Sequence, residues 1–237
     1  MEDINLKFNI KALGLLSGIF LSMTVSNAAV AEIDPVNEKA SMAAFEQLVV
    51  EIENGQIQNE EEGNKRFNEL VIEKESNPNT RVKRSASIAG ALGKSAEMQA
   101  CLRSIGAYKC GQARLNVNAA INMAKAYYPS STHNGKGDAF RHSYWNALMC
   151  KSIGCSNAKI VADNHEIYNP GPQKEHDMDY YNNQKGRDMY QWRVHNGWSV
   201  SPQAMADNLR EDIRNGLLKY ISYQYDSVNG SLWWTNQ

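Results

Sequence analysis

Apolar residues recur at three- and four-residue steps through most of the chain, and no convincing run of strand-like alternation interrupts them. Between 37 and 75, Ala43, Phe45, Leu48, Val49 and Ile52 form one amphipathic stripe. Asn54-Gly55 breaks it, and Phe67, Leu70 and Val71 resume it. One or two helices are expected there, with no cysteine, histidine or glycine-rich loop to carry chemistry. Further helices are predicted at 88–92, 98–105 and 113–127. Leu115, Val117, Ala120, Ile121 and Ala124 line the last of these, and Pro129 ends it. After a polar loop, Asp138 suits the N-cap of a helix over 139–150, and Gly154 suits its end. Ser156 or Asn157 can cap the next helix, which runs to 167. Asn169-Pro170-Gly171-Pro172 stops it, and a further helix follows over 174–191. Ser201-Pro202 opens a last one over 203–223, with Pro at the favoured first position. The predicted class is mainly α: a compact helical functional domain, 85–237, preceded by a small acidic helical leader, 32–76. No internal repeat is present.

The N-terminus has its own pattern. Lys7 and Lys11 precede an apolar stretch over 12–25, and Ala29-Val30-Ala31 follows. A positive start, a short apolar middle and an A-x-A end describe a secretory signal peptide over 1–31, cut to leave Glu32 first. The competing reading, a membrane anchor, needs about 20 apolar residues, and the run is shorter. No later segment is apolar enough to span a bilayer, so a mature protein that is secreted or periplasmic, without a transmembrane segment, is expected. Export changes the reading of the cysteines. Cys101, Cys110, Cys150 and Cys155 are an even set, which favours disulfides in an oxidising compartment. The local pairs Cys101–Cys110 and Cys150–Cys155 need the least loop closure. Neither pair has the two-residue spacing of a common zinc knuckle.

The net charge of −1 hides an asymmetry. Residues 32–76 hold twelve acidic and four basic side chains, or −8, while 1–31 balances to zero, which leaves +7 for 77–237. A basic body favours anionic partners: phospholipid, nucleic acid or a cell-wall polymer. The acidic leader could sit against that body and mask the preference. Between them, at 77–84, Arg81-Val82-Lys83-Arg84 reads either as a site where a propeptide is released after Arg84 or as a solvated basic linker.

The densest polar signal lies between Asp138 and Arg187. On a helix Asp138, His142 and Trp145 share a face, with Arg141 beside them and Asn146 at the edge. A second piece is Asp163-Asn164-His165-Glu166. A third runs Glu175-His176-Asp177-Met178-Asp179, then Asn182-Asn183 and Gly186-Arg187. Three chemistries compete. His142 and His165, with Asp163, Glu166, Asp179 or Asp138, could bind a divalent metal such as zinc and activate water. A His–carboxylate pair could act as general base without a metal, with Arg141 or Arg187 steadying negative charge. Or the groups could form a buried network that locks three helices together. Gly135-Lys136-Gly137 could cradle a phosphate, although Asp138 at the cap would compete with an anion.

The string Gly137-Asp138-Ala139-Phe140-Arg141-His142, continued by Tyr144-Trp145-Asn146-Ala147-Leu148-Met149, resembles a motif of a poorly characterised family of bacterial secreted domains. So do Ala162-Asp163 with His165-Glu166, and Met178-Asp179 with Asn182-Asn183 and Gly186-Arg187. The resemblance covers about 110–190, to domains at the C-termini of large wall-associated and toxin-like proteins. It implies secretion and a toxin-like role, with a cognate inhibitor protein as partner, rather than a particular reaction. It points to Asp138, Arg141, His142, His165 and Glu166 as the catalytic set, with Trp145, Asn146 and Arg187 toward substrate. Taken together, the sequence predicts a secreted hydrolase or toxin-like effector acting on an anionic substrate, with metal-dependent phosphodiester hydrolysis as one form. The alternative is a non-catalytic module that binds the envelope or a partner.

Overall fold

The computed structural model describes residues 35–76 and 95–237. The expected signal peptide, the basic linker with Arg84 and the helix at 88–92 lie outside the described residues. The chain forms α1 (Pro35–Glu53), α2 (Glu60–Ser76), α3 (Ser95–Ile105), α4 (Ala107–Tyr127), α5 (Lys136–Ile153), α6 (Cys155–Tyr168), α7 (Gln173–His195) and α8 (Pro202–Arg214). Two short strands close it, β1 (Lys219–Ser222) and β2 (Ser231–Trp234). The fold is mainly α, and no described helix is long and apolar enough to cross a membrane.

α5 is the centre. It packs on α4, α6, α7 and α8, so it buries residues on every side instead of along one stripe. Phe140, Tyr144, Trp145 and Met149 are at most 1% exposed. Small residues let the neighbours approach. Ala113, Ala120 and Ala124 face the core from α4, and the indole N–H of Trp145 donates to the Ala113 carbonyl at 3.2 Å. On α7, a Cβ built on Gly186 would stand 1.9 Å from the Ser143 carbonyl oxygen, so only glycine permits this α5–α7 distance.

Both disulfides join the local pairs expected from spacing. Cys101–Cys110 ties α3 to α4, and Cys150–Cys155 ties the corner between α5 and α6. Gly154 holds that corner at φ 84°, a left-handed turn that favours glycine.

Several boundaries differ from the sequence reading. α4 begins at Ala107, not 113; α6 has Gly154 as its N-cap, not Ser156 or Asn157; and α7 runs on to His195. α5 begins at Lys136 with Gly135 as N-cap, so Asp138 lies inside the first turn. Its carboxylate accepts from the Asn134 N–H at 2.6 Å, reaching back over the helix start as the acid of a capping box does. The last helix stops at Arg214, because Asn215-Gly216 closes it, with Gly216 at φ 72° donating to the Ile213 carbonyl. Residues 215–223, expected as the end of that helix, instead lead into β1, which pairs antiparallel with β2, Ile221 opposite Leu232.

α1 and α2 pack mainly on each other and on α4. Phe45 and Val49 enter the same core as Val117, Phe140 and Met149, while Leu48, Ile52 and Leu70 form a smaller cluster behind them. The acidic leader therefore meets the body through apolar side chains. Polar contacts add to it: Lys109 pairs with Glu60 at 2.9 Å, the Tyr108 N–H donates to Asn64 and its hydroxyl to the Gln58 carbonyl, and the Glu46 charge acts on buried Arg114.

Candidate functional site

α5, α6 and α7 bring their polar residues to one place. Asp138 and His142 lie one turn apart on α5, and Asp179 faces them from α7. His142 Nε2 is 3.5 Å from Asp138 Oδ1 and 3.2 Å from Asp179 Oδ1. One ligand atom from each of the three lies within 4.8 Å of the others. His142 is 1% exposed and Asp179 14%, so the group is buried with one side near the surface.

The hydrogen bonds fix the histidine tautomer. Arg141 Nη2 stands 2.8 Å from His142 Nε2, and a guanidinium only donates, so Nε2 carries the lone pair. Nδ1–H then donates to Asn183 Oδ1 at 3.2 Å. That oxygen also accepts from Asn146 Nδ2 at 2.7 Å, and Asn146 Oδ1 accepts from Arg187 Nη1 at 2.6 Å. Asn183 Nδ2 points to Glu166 Oε1 at 3.5 Å. The chain Arg187–Asn146–Asn183–His142 thus aims one ring nitrogen at the two aspartates.

Burial pushes the His142 imidazole well below its ordinary range, and the Arg141 charge adds to this against the pull of Asp138, so the ring is neutral at neutral pH. Burial also works against ionised Asp138. The Arg141 and His142 charges and the Asn134 N–H outweigh it and hold this carboxyl below its usual value. For Asp179 the Arg141 charge pulls the same way but is outweighed. Burial, then the charges of Asp138 and Glu166, push it up to about 9. Its Oδ1 is buried and has no hydrogen-bond donor. With Nε2 as a lone pair, two acceptors therefore face each other at 3.2 Å. Arg141 already donates to Nε2, so the unmet need is at Asp179 Oδ1, which a proton on the carboxyl, or a cation, would fill.

The donor set suits a metal ion. Imidazole and carboxylate oxygens at bonds of about 2.1 Å in tetrahedral array stand roughly 3.4 Å apart. The 3.2 and 3.5 Å separations match that edge. The Nδ1–H···Asn183 bond is the outer-shell contact that orients a ligating histidine. Were these three to hold an ion, a fourth position would remain for water or substrate, as in catalytic zinc sites.

The other predicted residues have separate positions. His165 Nδ1–H donates to Glu97 Oε1 at 2.9 Å, and its ring lies 6.3 Å from that of His142 and edge-on to Trp145. Glu166 is buried and accepts from His176 Nδ1–H at 3.0 Å, while His176 Nε2 accepts from the Gly171 N–H. Asp163 pairs with Lys159 on the outer side of α6. Trp145 is core. Arg187 is buried among Asn146 and Gln184, and burial lowers the pKa of its guanidinium. Asn183, His176 and Glu97 were not singled out in the sequence as site residues. The Asn182-Asn183 pair gave a signal for the first. Glu97 gave none, standing 68 residues from its partner.

The comparisons fall on this same part of the chain. Residues 104–217 match the model of a domain of unknown function, DUF6973. The match takes in α4 to α8 and with them Asp138, His142, Asp179 and Asn183. It leaves out the leader and the C-terminal hairpin. Neither the curated proteins nor the solved structures contain a match to the chain.

Proposed function

We propose that the chain is a secreted, metal-dependent hydrolase of an anionic substrate, with Asp138, His142 and Asp179 as the ligands. A phosphodiester is the substrate class this chemistry suits best. The observation that carries the reading is the pair of facing acceptors, His142 Nε2 and Asp179 Oδ1, beside a second carboxylate at metal-ligand spacing. A bound divalent ion would supply Lewis acidity and a water acidic enough to ionise near neutral pH. Arg141 is the residue placed to meet the substrate. Its guanidinium is 22% exposed and now neutralises Asp138, and once a cation does so, it is free to hold an anionic oxygen. Asn183, Asn146 and Arg187 keep the imidazole oriented. Toxin-like action, with an inhibitor protein guarding the producing cell, belongs to the same proposal.

The test is hydrolysis of phospholipid vesicles, nucleic acid and peptidoglycan by the purified chain, before and after chelation. Activity against one of these is expected, lost with chelator and restored by zinc or manganese. His142→Ala should abolish it. Asp179→Asn should abolish both activity and the rise in Tm that the ion produces, while leaving the chelated protein as stable as wild type or more so, because the amide can donate to Nε2. Full activity in folded His142→Ala overturns the assignment.

A second reading rests on a different observation. His142 is almost wholly enclosed, and its neighbours bond mainly to one another, as in a network that locks three helices in a non-catalytic binding module. Unchanged thermal stability on adding metal, with no hydrolysis of any of the three substrates, favours it.

A further inference from the structure

A cavity of about 800 Å³ opens between the C-terminal half of α7, the turn after it, and α8. That is the size range of pockets that hold small organic ligands. Met189 and Leu218, both buried, lie at its base. Two tryptophans stand at its edge. Trp192 is 49% exposed and Trp198 54%, with ring centres 4.8 Å apart and planes at 69°. Single exposed apolar residues are ordinary on a protein surface, but two indoles forming a corner over a cavity are not explained by packing.

The polar lining is mainly acidic. Asp188, Asp207, Glu211 and Asp212 face two cations, Lys185 and Arg193. Arg193 is committed to the frame. Its Nε–H donates to the Ser199 carbonyl at 2.7 Å and its Nη1–H to Asn208 Oδ1 at 2.7 Å, and its guanidinium lies over the Trp198 ring at 5.6 Å. Asn208 in turn donates to Asp212, 3.2 Å from each oxygen. One arginine thus fixes both the indole of Trp198 and, through Asn208, the carboxylate of Asp212. The walls are held in place before any ligand arrives, which lowers the entropy lost on binding.

We infer that this cavity binds an organic cation with apolar substituents, a quaternary or tertiary ammonium, with its charge toward Asp212 and its alkyl groups against Trp192 and Trp198. Indole faces attract such cations through the ring quadrupole, and a carboxylate framed by a neutral amide supplies the counter-charge. The site is separate from the Asp138 cluster and has the opposite preference, since it selects a cation on a body whose overall charge favours anions. The ammonium could arrive free or as the headgroup of a zwitterionic lipid.

The probe is choline, titrated against the intrinsic tryptophan fluorescence of the full chain, with 3,3-dimethylbutan-1-ol as the uncharged molecule of the same shape. Saturable binding is expected, with choline tighter than the alcohol by about tenfold or more. Trp198→Leu and Asp212→Asn should each weaken choline by about as much. His142→Ala should leave it unchanged, so this result stands whether or not the hydrolase proposal does. Flotation with phosphatidylcholine vesicles, lost in Trp198→Leu, assigns the lipid source. Choline binding without such flotation assigns a free ammonium. Equal affinity for choline and the alcohol, or no saturable response to choline, overturns the inference. Melting curves of both variants matching wild type exclude misfolding as the cause of lost binding.

Discussion

Gly186 shows how one missing side chain sets the site. The backbones of α5 and α7 meet where any Cβ would overlap the Ser143 carbonyl, and Asn183 and Arg187 flank that contact on α7. Gly186→Ala is therefore expected to cost about 3 kcal/mol, since overpacking against backbone cannot be relieved by a rotamer change. That corresponds to a fall in Tm of roughly 6–12 °C for a chain of this size. A melting curve unchanged from wild type would show that the helices are not held this close. Asp212 gives a second expectation at this scale. Burial pushes it up to about 6, against the pull of Lys185 and Arg193 on α7 and the Asn208 amide, with the Glu211 charge adding to the rise. The folded state then holds a proton that the unfolded chain has released. Its contribution is full below about pH 4 and is lost as pH rises through 6. Urea unfolding at pH 5 and pH 7 should show wild type losing more stability over that interval than Asp212→Asn. Parallel behaviour of the two proteins refutes the assignment.

Asn182 of α7 anchors the first strand of the C-terminal hairpin, and Lys174 of the same helix donates to the Gly230 carbonyl. The Asn182 amide donates to the Lys219 carbonyl at 2.8 Å and accepts from the Lys219 N–H at 3.0 Å, standing in for a neighbouring strand. From the other side, the Ile221 N–H donates to the Asn134 carbonyl, and Asn134 Nδ2 donates to Glu175 and to the Tyr223 hydroxyl. The hairpin thus braces the loop whose Asn134 N–H holds Asp138. Asn182→Ala leaves a part-buried N–H and carbonyl of Lys219 unpaired, at a cost of about 1 kcal/mol. Hydrogen exchange at β1 should quicken well before that of α5. Equal protection of β1 in the variant and wild type would place its anchor elsewhere. Helix ends carry comparable roles: Gly154 with Cys150–Cys155 turns α5 into α6, which sets the angle at which Glu166 meets His176 and Asn183.

At the scale of the whole molecule, the opposite charges of leader and body suggest electrostatic attachment, whereas the contact itself is mainly apolar, with the Glu46 charge beside buried Arg114 as its enclosed polar part. Phe45 and Leu48 are fully buried, and Lys109–Glu60 is a partly exposed pair of the kind that contributes little. Cutting the chain after Arg84 is therefore expected to leave α1 and α2 bound. The nicked protein should elute as one species in gel filtration even at 1 M salt, where the Debye length is about 3 Å. One species in native buffer that separates into two at 1 M salt would show that charge, not burial, makes the contact. α1 and α2 pack chiefly on α4, while the site lies on α5 and α7, so a change of activity after cutting would arise through the core rather than by uncovering the site.

The helical class, the two local disulfides and the polar density on α5 and α7 were legible along the chain, because period, spacing and capping are local properties. The Asp138–Arg141–His142 turn was legible for the same reason: residues three and four apart share a helix face whatever surrounds them. The hairpin was not, since four-residue strands carry too little alternation to outweigh a continuing helical period, and the Asn-Gly turns at Asn215-Gly216 and Asn229-Gly230 were the local signs of it. Only the tertiary structure decided that Asp179 joins His142 while Asp163 turns to Lys159. Each acid sits on a helix with a polar and an apolar side, and the packing of α5 against α6 and α7 selects which carboxylate points inward. The His165–Glu97 pair, with 68 residues between its members, forms only when α3 and α6 come together.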